Sequence, residues 1–201
     1  MNKVLKLTLI LFLISAVVAG ILGGVYIITK EPIDDYNRAK TAEAYFNVLP
    51  KYDDVDYDSL TPDDYVKYVN PDDAEVVNKI YDDVNGAKIT VLKCTLAEDG
   101  KTYVIECETA GSQGKIVTVI GVDKETLTCT AIAIKESSET SGLGAEASKP
   151  DFKNQLVGKD ATNCFITKEK GEVEAISGAT ITSKAVTRSV AAAIDFVANM
   201  G

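Results

Sequence analysis

The feature that most limits the fold of this chain is a long apolar run close to its start. Residues 7–28 are apolar except for small or hydroxyl side chains such as Thr8, Ser15 and Gly20. A helix needs about 20 such residues to cross the hydrocarbon core of a membrane. The run therefore predicts a membrane anchor over residues 1–30. A cleaved signal peptide is the alternative, but the run continues past the small residues at 16–19, which favours an uncleaved anchor.

The charges on the two sides of this run predict its orientation. Lys3 and Lys6 precede it, and Glu31 and Asp34 follow soon after Lys30. Basic residues next to a membrane span tend to stay in the cytoplasm. We therefore expect a single pass through the cytoplasmic (inner) membrane, with the N-terminus in the cytoplasm and the large remaining part outside it.

Composition excludes several classes of function. The formal net charge of −9 and the pI of about 4.6 leave no basic footprint for nucleic acid. Histidine is absent, which removes Ser–His and Cys–His catalytic pairs and the commonest metal ligand. No two cysteines have C-x-x-C spacing, so they predict small buried residues rather than a zinc or iron–sulfur site. An external location would permit disulfides without indicating their pairing among Cys94, Cys107, Cys129 and Cys164.

An acidic segment at residues 53–73 begins like a calcium-binding loop. Asp54, Asp56 and Asp58 alternate as calcium ligands do, but Ser59 stands where the loop needs glycine and Tyr65 where it needs glutamate. We predict a solvated loop with short helical pieces, and no metal site.

The middle of the chain predicts an antiparallel sheet. Its strand-like segments are rich in β-branched residues and are joined by short turns, at residues 88–96, 102–108, 115–122 and 127–135. Strands so closely linked pair antiparallel, because parallel neighbours need a long crossover.

Helical patterns lie on both sides of these strands. They cover residues 32–49, 74–84 and 150–159, and short edge strands are expected at 164–167 and 172–176. After the anchor we therefore expect a juxtamembrane helix with an acidic helical and loop segment at 31–85. One domain follows at 86–201.

A small, hydroxyl-rich turn near the C-terminus is the strongest candidate for a functional site. Ser177, Gly178, Ala179 and Thr180 precede an apolar-periodic helix, whose first turn Thr182 or Ser183 can cap. A glycine turn leading into a helix N-terminus favours an anion, since free N–H groups and the positive dipole end point at it. The turn therefore predicts a phosphate near Thr180, and an ordinary capped junction is the alternative. Lys184 either adds a point charge there or is a solvated surface lysine.

The same turn resembles a known covalent flavin-attachment motif. In that motif an acidic residue is followed by two variable residues and Ser/Thr-Gly-Ala-Thr, as in the run from Glu174 to Thr180. It occurs in the G subunit of the Rnf electron-transport complex and in the related C subunit of the sodium-pumping NADH:quinone reductase. In that family FMN is joined by a phosphoester to the last threonine, which corresponds to Thr180. Glu174 replaces the usual aspartate and keeps its charge.

A second segment resembles the family's Glu-Thr-Pro-Gly-Leu-Gly signature, although a polar glycine-rich stretch could also be an ordinary surface loop. The matching residues are Glu139, Thr140, Gly142, Leu143 and Gly144. Ser141 stands in place of proline, and Ser137 where histidine is often found. The family's Phe-x-x-Gln-Phe-x-Gly-Lys stretch also has a counterpart, in which Phe152, Gln155, Gly158 and Lys159 fit and Leu156 replaces the second aromatic.

The resemblance implies an α+β fold: an N-terminal transmembrane helix and one FMN-binding domain with a mainly antiparallel sheet flanked by helices. It implies covalent FMN as cofactor, other members of a membrane complex as partners, and a separate flavin transferase during maturation. The expected cofactor-binding residues are Thr180 as the covalent phosphoryl threonine, with Ser177, Gly178, Ala179, Thr182, Lys184, Glu139, Thr140, Gly142, Leu143 and Gly144.

The implied activity is electron relay within an ion-translocating ferredoxin:NAD⁺ oxidoreductase, with no catalytic residue or complete active site on this chain. The alternatives are the homologous component of the sodium-translocating NADH:quinone reductase and a free-standing extracytoplasmic FMN carrier. A non-redox binding module is a further alternative, in which the Thr180 turn is only structural.

Overall fold

The computed structural model describes residues 3–49, 60–61, 64, 74–82, 88–139 and 144–200. Within these residues the longer elements are helix α1 (Lys3–Phe46), strands β1 (Glu75–Asp82), β2 (Lys88–Leu96), β3 (Thr102–Ala110), β4 (Lys115–Asp123) and β5 (Cys129–Ser137), and helices α2 (Pro150–Lys153) and α3 (Thr180–Ala198). Short 3₁₀ helices occupy Gly144–Ser148 and Thr167–Glu169. The acidic segment at 53–73 lies almost wholly outside the described residues. The chain divides into two compact units, Met1–Ala39 and Lys40–Gly201.

The first unit belongs to the apolar helix α1. An 18-residue window of α1 has a mean hydropathy of 2.5 and none of it is buried, so its length and composition suit a membrane span. The helix runs through Pro32, where the sequence predicted that a second helix would begin. A proline inside a helix loses one backbone hydrogen bond, at a cost of about 3 kcal/mol. The helix nevertheless continues on both sides of Pro32, from Lys3 to Phe46.

The second unit is organised around a five-stranded antiparallel sheet in the order β1-β2-β3-β4-β5. The α+β fold expected from the sequence is therefore confirmed, and β2 has the predicted bounds. Of residues 74–84, which were predicted to be helical, Glu75–Asp82 instead form strand β1, and residues 83–84 lie outside the described residues. The Val, Ile and Tyr side chains of β1 suit a pleated surface, and pairing with β2 supplies the backbone hydrogen bonds. A bulge at Asn78, where φ is 49°, shifts the register.

Helix α3 packs on one face of the sheet and forms the main core with it. The residues that the sequence placed on one apolar helix face are no more than 6% exposed: Val186, Val190, Ala193, Ile194 and Val197. They belong to one cluster with sheet residues such as Ile105 and Ile120. The four cysteines are free thiols buried in this same cluster, so the prediction of small buried residues is confirmed. Burial raises the pKa of the Cys94 thiol to about 11.

The opposite face of the sheet is covered by residues 42–49, the end of α1 and the turn after it. Tyr45 and Val48 are fully buried there against Val104 and Val119. The hydroxyl of Tyr45 donates to Glu106 Oε2 at 3.0 Å, and Lys135 Nζ donates to Glu106 Oε1 at 3.0 Å. Burial, reinforced by the nearby Glu106 carboxylate, holds the pKa of Tyr45 far above its usual value. These three residues form a buried polar network on that face.

The region between the sheet and α3 contains less regular structure than the sequence predicted. The helix expected at 150–159 is limited to Pro150–Lys153, because Gly158 adopts φ 77° and the chain turns to hydrogen-bond with Cys129. The two expected edge strands reduce to one parallel bridge between Ile166 and Val173. A 3₁₀ turn at Thr167–Glu169 and Lys170, with φ 69°, occupies the short connection.

The turn between β2 and β3 gives a prediction about pH. Partial burial opposes ionisation of Asp99, but hydrogen bonds from the backbone N–H groups of Thr102 and Lys101 and from the Thr102 hydroxyl outweigh it, and they lower the pKa of Asp99. A lowered folded-state pKa contributes stability above the unfolded value, and that stability is lost as the pH falls through the folded value. As the pH falls from about 5 to about 1, Asp99→Asn should lose less unfolding free energy than the wild type. Urea denaturation of the full chain in detergent measures this, and identical pH profiles would contradict it.

Candidate functional site

The turn at residues 177–180 feeds directly into helix α3. Gly178 has φ 77°, a left-handed conformation that favours glycine. The N–H of Ala179 donates to the carbonyl of Ile176 at 3.0 Å, and Thr180 is the first residue of the helix. Ala179 is the N-cap residue and makes no side-chain cap hydrogen bond. The first N–H groups of an α-helix have no acceptor within the helix, so this end can receive an anion.

The prediction that Thr182 or Ser183 caps the helix was wrong, because the helix begins before them. Ser183 lies in the first turn of α3, three residues after its start, and stabilises the preceding segment at residues 176–179 instead. Its hydroxyl donates to the carbonyl of Ala179 at 2.9 Å and accepts from the N–H of Ile176 at 2.9 Å. This bracing leaves Ser177 and Gly178 exposed and Thr180 half-buried, whereas Thr182 is only 1% exposed.

Glu139 joins the end of β5 to two other segments. Its Oε1 accepts from the backbone N–H of Ser112 at 2.6 Å and of Gln113 at 3.1 Å, both in the β3–β4 loop. Its Oε2 accepts from the Thr182 hydroxyl at 3.0 Å. The second sequence signature is thus tied to the first at Glu139. Its next residues, Thr140, Gly142 and Leu143, lie outside the described residues, and Gly144 begins a 3₁₀ helix.

Lys184 lies one helical turn after Thr180 and pairs with Glu169, at 3.0 Å between Nζ and Oε1. Arg188, a further turn along, also donates to Glu169. Partial burial opposes ionisation of Glu169, but hydrogen bonds from Lys184 and Arg188 prevail and lower its pKa. Thr180, Lys184 and Arg188 recur at intervals of four, so they share one side of α3.

A cleft of about 180 Å³ adjoins the turn. It is lined by Glu146, Lys149, Asp151, Phe152, Gln155, Glu174, Ala175 and Ile176. Gln155 Oε1 accepts from the N–H of Glu174 at 2.8 Å, which fixes one wall of the cleft against the other. Pockets for small ligands usually measure about 300–1,000 Å³, so a larger cofactor would extend beyond this cleft. Its lining combines four charged side chains with the apolar Phe152 and Ile176.

Comparison with known proteins shows which family the chain resembles. Residues 111–195 match the model of the FMN-binding domain. The chain is 30% identical over 196 residues to the G subunit of the ion-translocating oxidoreductase complex of Methanosarcina acetivorans, covering 98% of this chain and 95% of the relative. It is 32% identical over 203 residues to the G subunit of the Na⁺-translocating ferredoxin:NAD⁺ oxidoreductase complex of Acetobacterium woodii, covering 98% and 93%.

The chain belongs to the family of G subunits of the Rnf-type ion-translocating oxidoreductase complexes. A solved structure, that of the C subunit of the Na⁺-translocating NADH-quinone reductase of Parabacteroides distasonis, is 22% identical and covers 84% of this chain and 97% of its own. Its TM-score of 0.54 shows a shared fold.

Several contacts in this Rnf-type G subunit had no signal in the sequence. Ser112 and Gln113 contribute backbone N–H groups, which no residue pattern marks, and they lie 27 and 26 positions from Glu139. In the sequence, Glu169 and Arg188 cannot be distinguished from ordinary polar surface residues. Their contact is visible only in the folded structure. The described residues contain no group of three or more His, Cys, Asp or Glu side chains that could hold a metal ion.

Proposed function

We propose that this chain is a membrane-anchored flavoprotein subunit that carries FMN as a phosphoester on Thr180. It would relay electrons within an ion-translocating ferredoxin:NAD⁺ oxidoreductase complex. The observation that carries the proposal is the position of Thr180. Thr180 is half-buried and is the first residue of a helix whose N-cap residue, Ala179, makes no side-chain cap hydrogen bond. It lies inside the stretch that matches the FMN-binding domain.

The residues of the turn suit a phosphodiester. Gly178 and Ala179 add little side-chain bulk, so the backbone can approach the phosphate closely. The helix N-terminus favours its negative charge by roughly 0.3–1 kcal/mol. Lys184 lies one helical turn along α3 and can add a positive charge near the phosphate. Its ammonium group is also paired with the Glu169 carboxylate. The Thr182 hydroxyl is held by its hydrogen bond to the Glu139 carboxylate.

The cleft beside the turn is the candidate seat for the flavin ring. Phe152 and Ile176 offer apolar contact, and Gln155 is already oriented by its hydrogen bond to the backbone of Glu174. Bound FMN supplies one- and two-electron transfer, while the protein supplies binding and orientation. Since the cleft is small, the ring would remain partly open to solvent or to a partner that exchanges electrons with it. By resemblance to the family, Glu139, Thr140, Gly142, Leu143 and Gly144 are also proposed as flavin-binding residues.

By resemblance to the family, a separate flavin transferase would attach the cofactor: the pyrophosphate bond of FAD breaks, the FMN phosphorus bonds to the Thr180 oxygen, and AMP leaves. Glu174 and Ser177 are exposed beside the acceptor and can serve as recognition elements. The test is co-expression of the full chain with such a transferase. Intact mass should rise by one FMN less one water, and the denatured band should fluoresce. A chain that gains neither would favour the non-redox binding module.

The anchor and the charge asymmetry around it support a topology. Residues 1–30 would cross the membrane once with the N-terminus in the cytoplasm. Residues 31–85 would follow outside the cytoplasm and supply residues 42–49 and strand β1 to the packed sheet, and residues 86–201 would hold FMN there. A covalent bond has a clear advantage there, since dissociated FMN could not easily be replaced.

A protease added to intact spheroplasts tests this topology. The protease should remove an epitope placed at the C-terminus and leave one placed before Lys3. Permeabilised cells, in which both epitopes are digested, are the control. Full protection of the C-terminal epitope in intact spheroplasts would contradict the orientation.

A further inference from the structure

Glu139 carries an inference that goes beyond cofactor attachment. We propose that Glu139 is a positioning residue: acting through Thr182, it holds the first turn of α3, and with it Thr180, against the β3–β4 loop. This inference rests on the flavin role proposed above for Thr180. It assigns Glu139 an effect on the site that needs no contact between its carboxylate and the cofactor.

Both oxygens of Glu139 are occupied by protein donors. Oε1 accepts two backbone N–H groups, from Ser112 and Gln113, and Oε2 accepts the Thr182 hydroxyl. A carboxylate accepts hydrogen bonds on both oxygens, and charge makes each bond stronger than a neutral one. One side chain thereby connects the end of β5, the β3–β4 loop and helix α3.

The β3–β4 loop leaves room for this carboxylate because residue 111 has no side chain. A Cβ on Gly111 would lie 2.1 Å from Glu139 Oε1, far closer than two such atoms can approach. The loop closes on itself through a 2.7 Å hydrogen bond from the N–H of Gly111 to the carbonyl of Gly114. The N–H groups of Ser112 and Gln113 are thus presented together, and Glu139 fills the space between them.

On the helix side, the bond reaches a residue that is rigidly linked to Thr180. Thr182 is 1% exposed and is the third residue of α3, two positions after Thr180. In an α-helix the relative directions of neighbouring side chains are fixed by the backbone. Holding Thr182 therefore holds the direction in which Thr180 presents its hydroxyl. The negative charge of Glu139 is also favourable near the positive end of the helix.

The test compares variants of the full chain in detergent. Two readouts are needed: amide hydrogen exchange at Ala179 and Ser183, and the rate of flavin transfer to Thr180 by purified transferase with FAD. The N–H groups of these two residues bond within the turn, to the carbonyls of Ile176 and Ala179, so they report its order without contacting Glu139. Glu139→Ala should speed their exchange by roughly tenfold or more, and slow flavin transfer by a similar factor.

Two substitutions define the role of the carboxylate. Glu139→Gln should remain within about threefold of the wild type, because its oxygen can accept both backbone N–H groups and its amide can donate to Thr182. Glu136→Ala is the matched control. Glu136 lies three residues before Glu139, near the end of β5. Its side chain is 46% exposed and pairs with Lys115 at the surface, so its loss should change neither readout.

Substitutions of Thr182 show whether Glu139 acts through it. Thr182→Val should reproduce the Glu139→Ala effects, and Thr182→Ser should not. Both substitutions remove the same hydrogen bond, so their effects should not add. In the double variant Glu139→Ala/Thr182→Val, flavin transfer should be no slower, and amide exchange no faster, than in the more affected single variant. If Glu139→Ala does not fold, as judged by circular dichroism, Thr182→Val decides the question with the same two readouts.

Wild-type exchange at Ala179 and Ser183 in both Glu139→Ala and Thr182→Val would overturn the proposal. Equal effects of Glu136→Ala and Glu139→Ala would also overturn it. If the wild-type chain accepts no flavin, the proposed function fails, and the exchange data alone then decide whether Glu139 orders the turn.

Discussion

Thr180→Ala should eliminate covalent flavin completely when the chain is made together with its transferase. A phosphoester needs a hydroxyl oxygen, and alanine has none. The neighbouring hydroxyls are poor substitutes. Those of Thr182 and Ser183 are buried and hydrogen-bonded to Glu139 and within the turn. Fluorescence of the denatured band and the intact mass measure the loss, which should be total rather than partial.

Two controls make this loss specific to the acceptor. Thr180→Ser retains a hydroxyl at the same helix position and should retain some flavin. Ser177→Ala removes an exposed hydroxyl three residues earlier and should also retain it, although more slowly if the transferase reads that residue. Flavin that persists in Thr180→Ala but disappears in Ser177→Ala would move the attachment to Ser177. Circular dichroism should show that all three variants are folded.

Among these substitutions, the largest loss of stability should come from Glu106→Ala, on the face of the sheet opposite helix α3. Glu106 is 4% exposed and accepts from Tyr45 and from Lys135, whose side chain is only 16% exposed. Removing one partner of a buried ion pair leaves the other charge without compensation, at a cost of about 3–5 kcal/mol. The free energy of unfolding, measured by urea denaturation of the full chain in detergent, should fall by that amount.

Glu108→Ala on the same strand is the matched control. Glu108 pairs with Lys115 at 3.6 Å, and the two side chains are 39% and 55% exposed. Surface pairs of this kind contribute about 0–1 kcal/mol, so this variant should be nearly as stable as the wild type. The double variant Glu106→Met/Lys135→Met should recover much of the loss, because both buried charges are then removed. Equal losses in Glu106→Ala and Glu108→Ala would contradict the account of the network.

Much of the fold could be predicted from local pattern. The predicted ends of strands β2 to β5 lie within about two residues of the observed ends, because alternation and turn residues are local signals. The apolar face of α3 was correctly identified, because a 3.6-residue period marks it directly. Prediction failed where pairing overrides local preference. Residues 75–82 become a strand by adding to β2, and residues 154–159 leave helical geometry to bond with β5.

The residues of the candidate site likewise fall into two groups: those marked by local sequence pattern and those brought together only by the fold. The sequence by itself indicated the proposed acceptor Thr180, the glycine turn before it and the family to which the chain belongs, because runs of consecutive residues carry each of them. The tertiary structure alone decided that Glu139 bonds to Thr182, that Lys184 is held by Glu169, and that Gln155 and Ile176 line one cleft. Those contacts join residues far apart in the chain. Their partners are set by strand register and helix packing, and no local pattern encodes either.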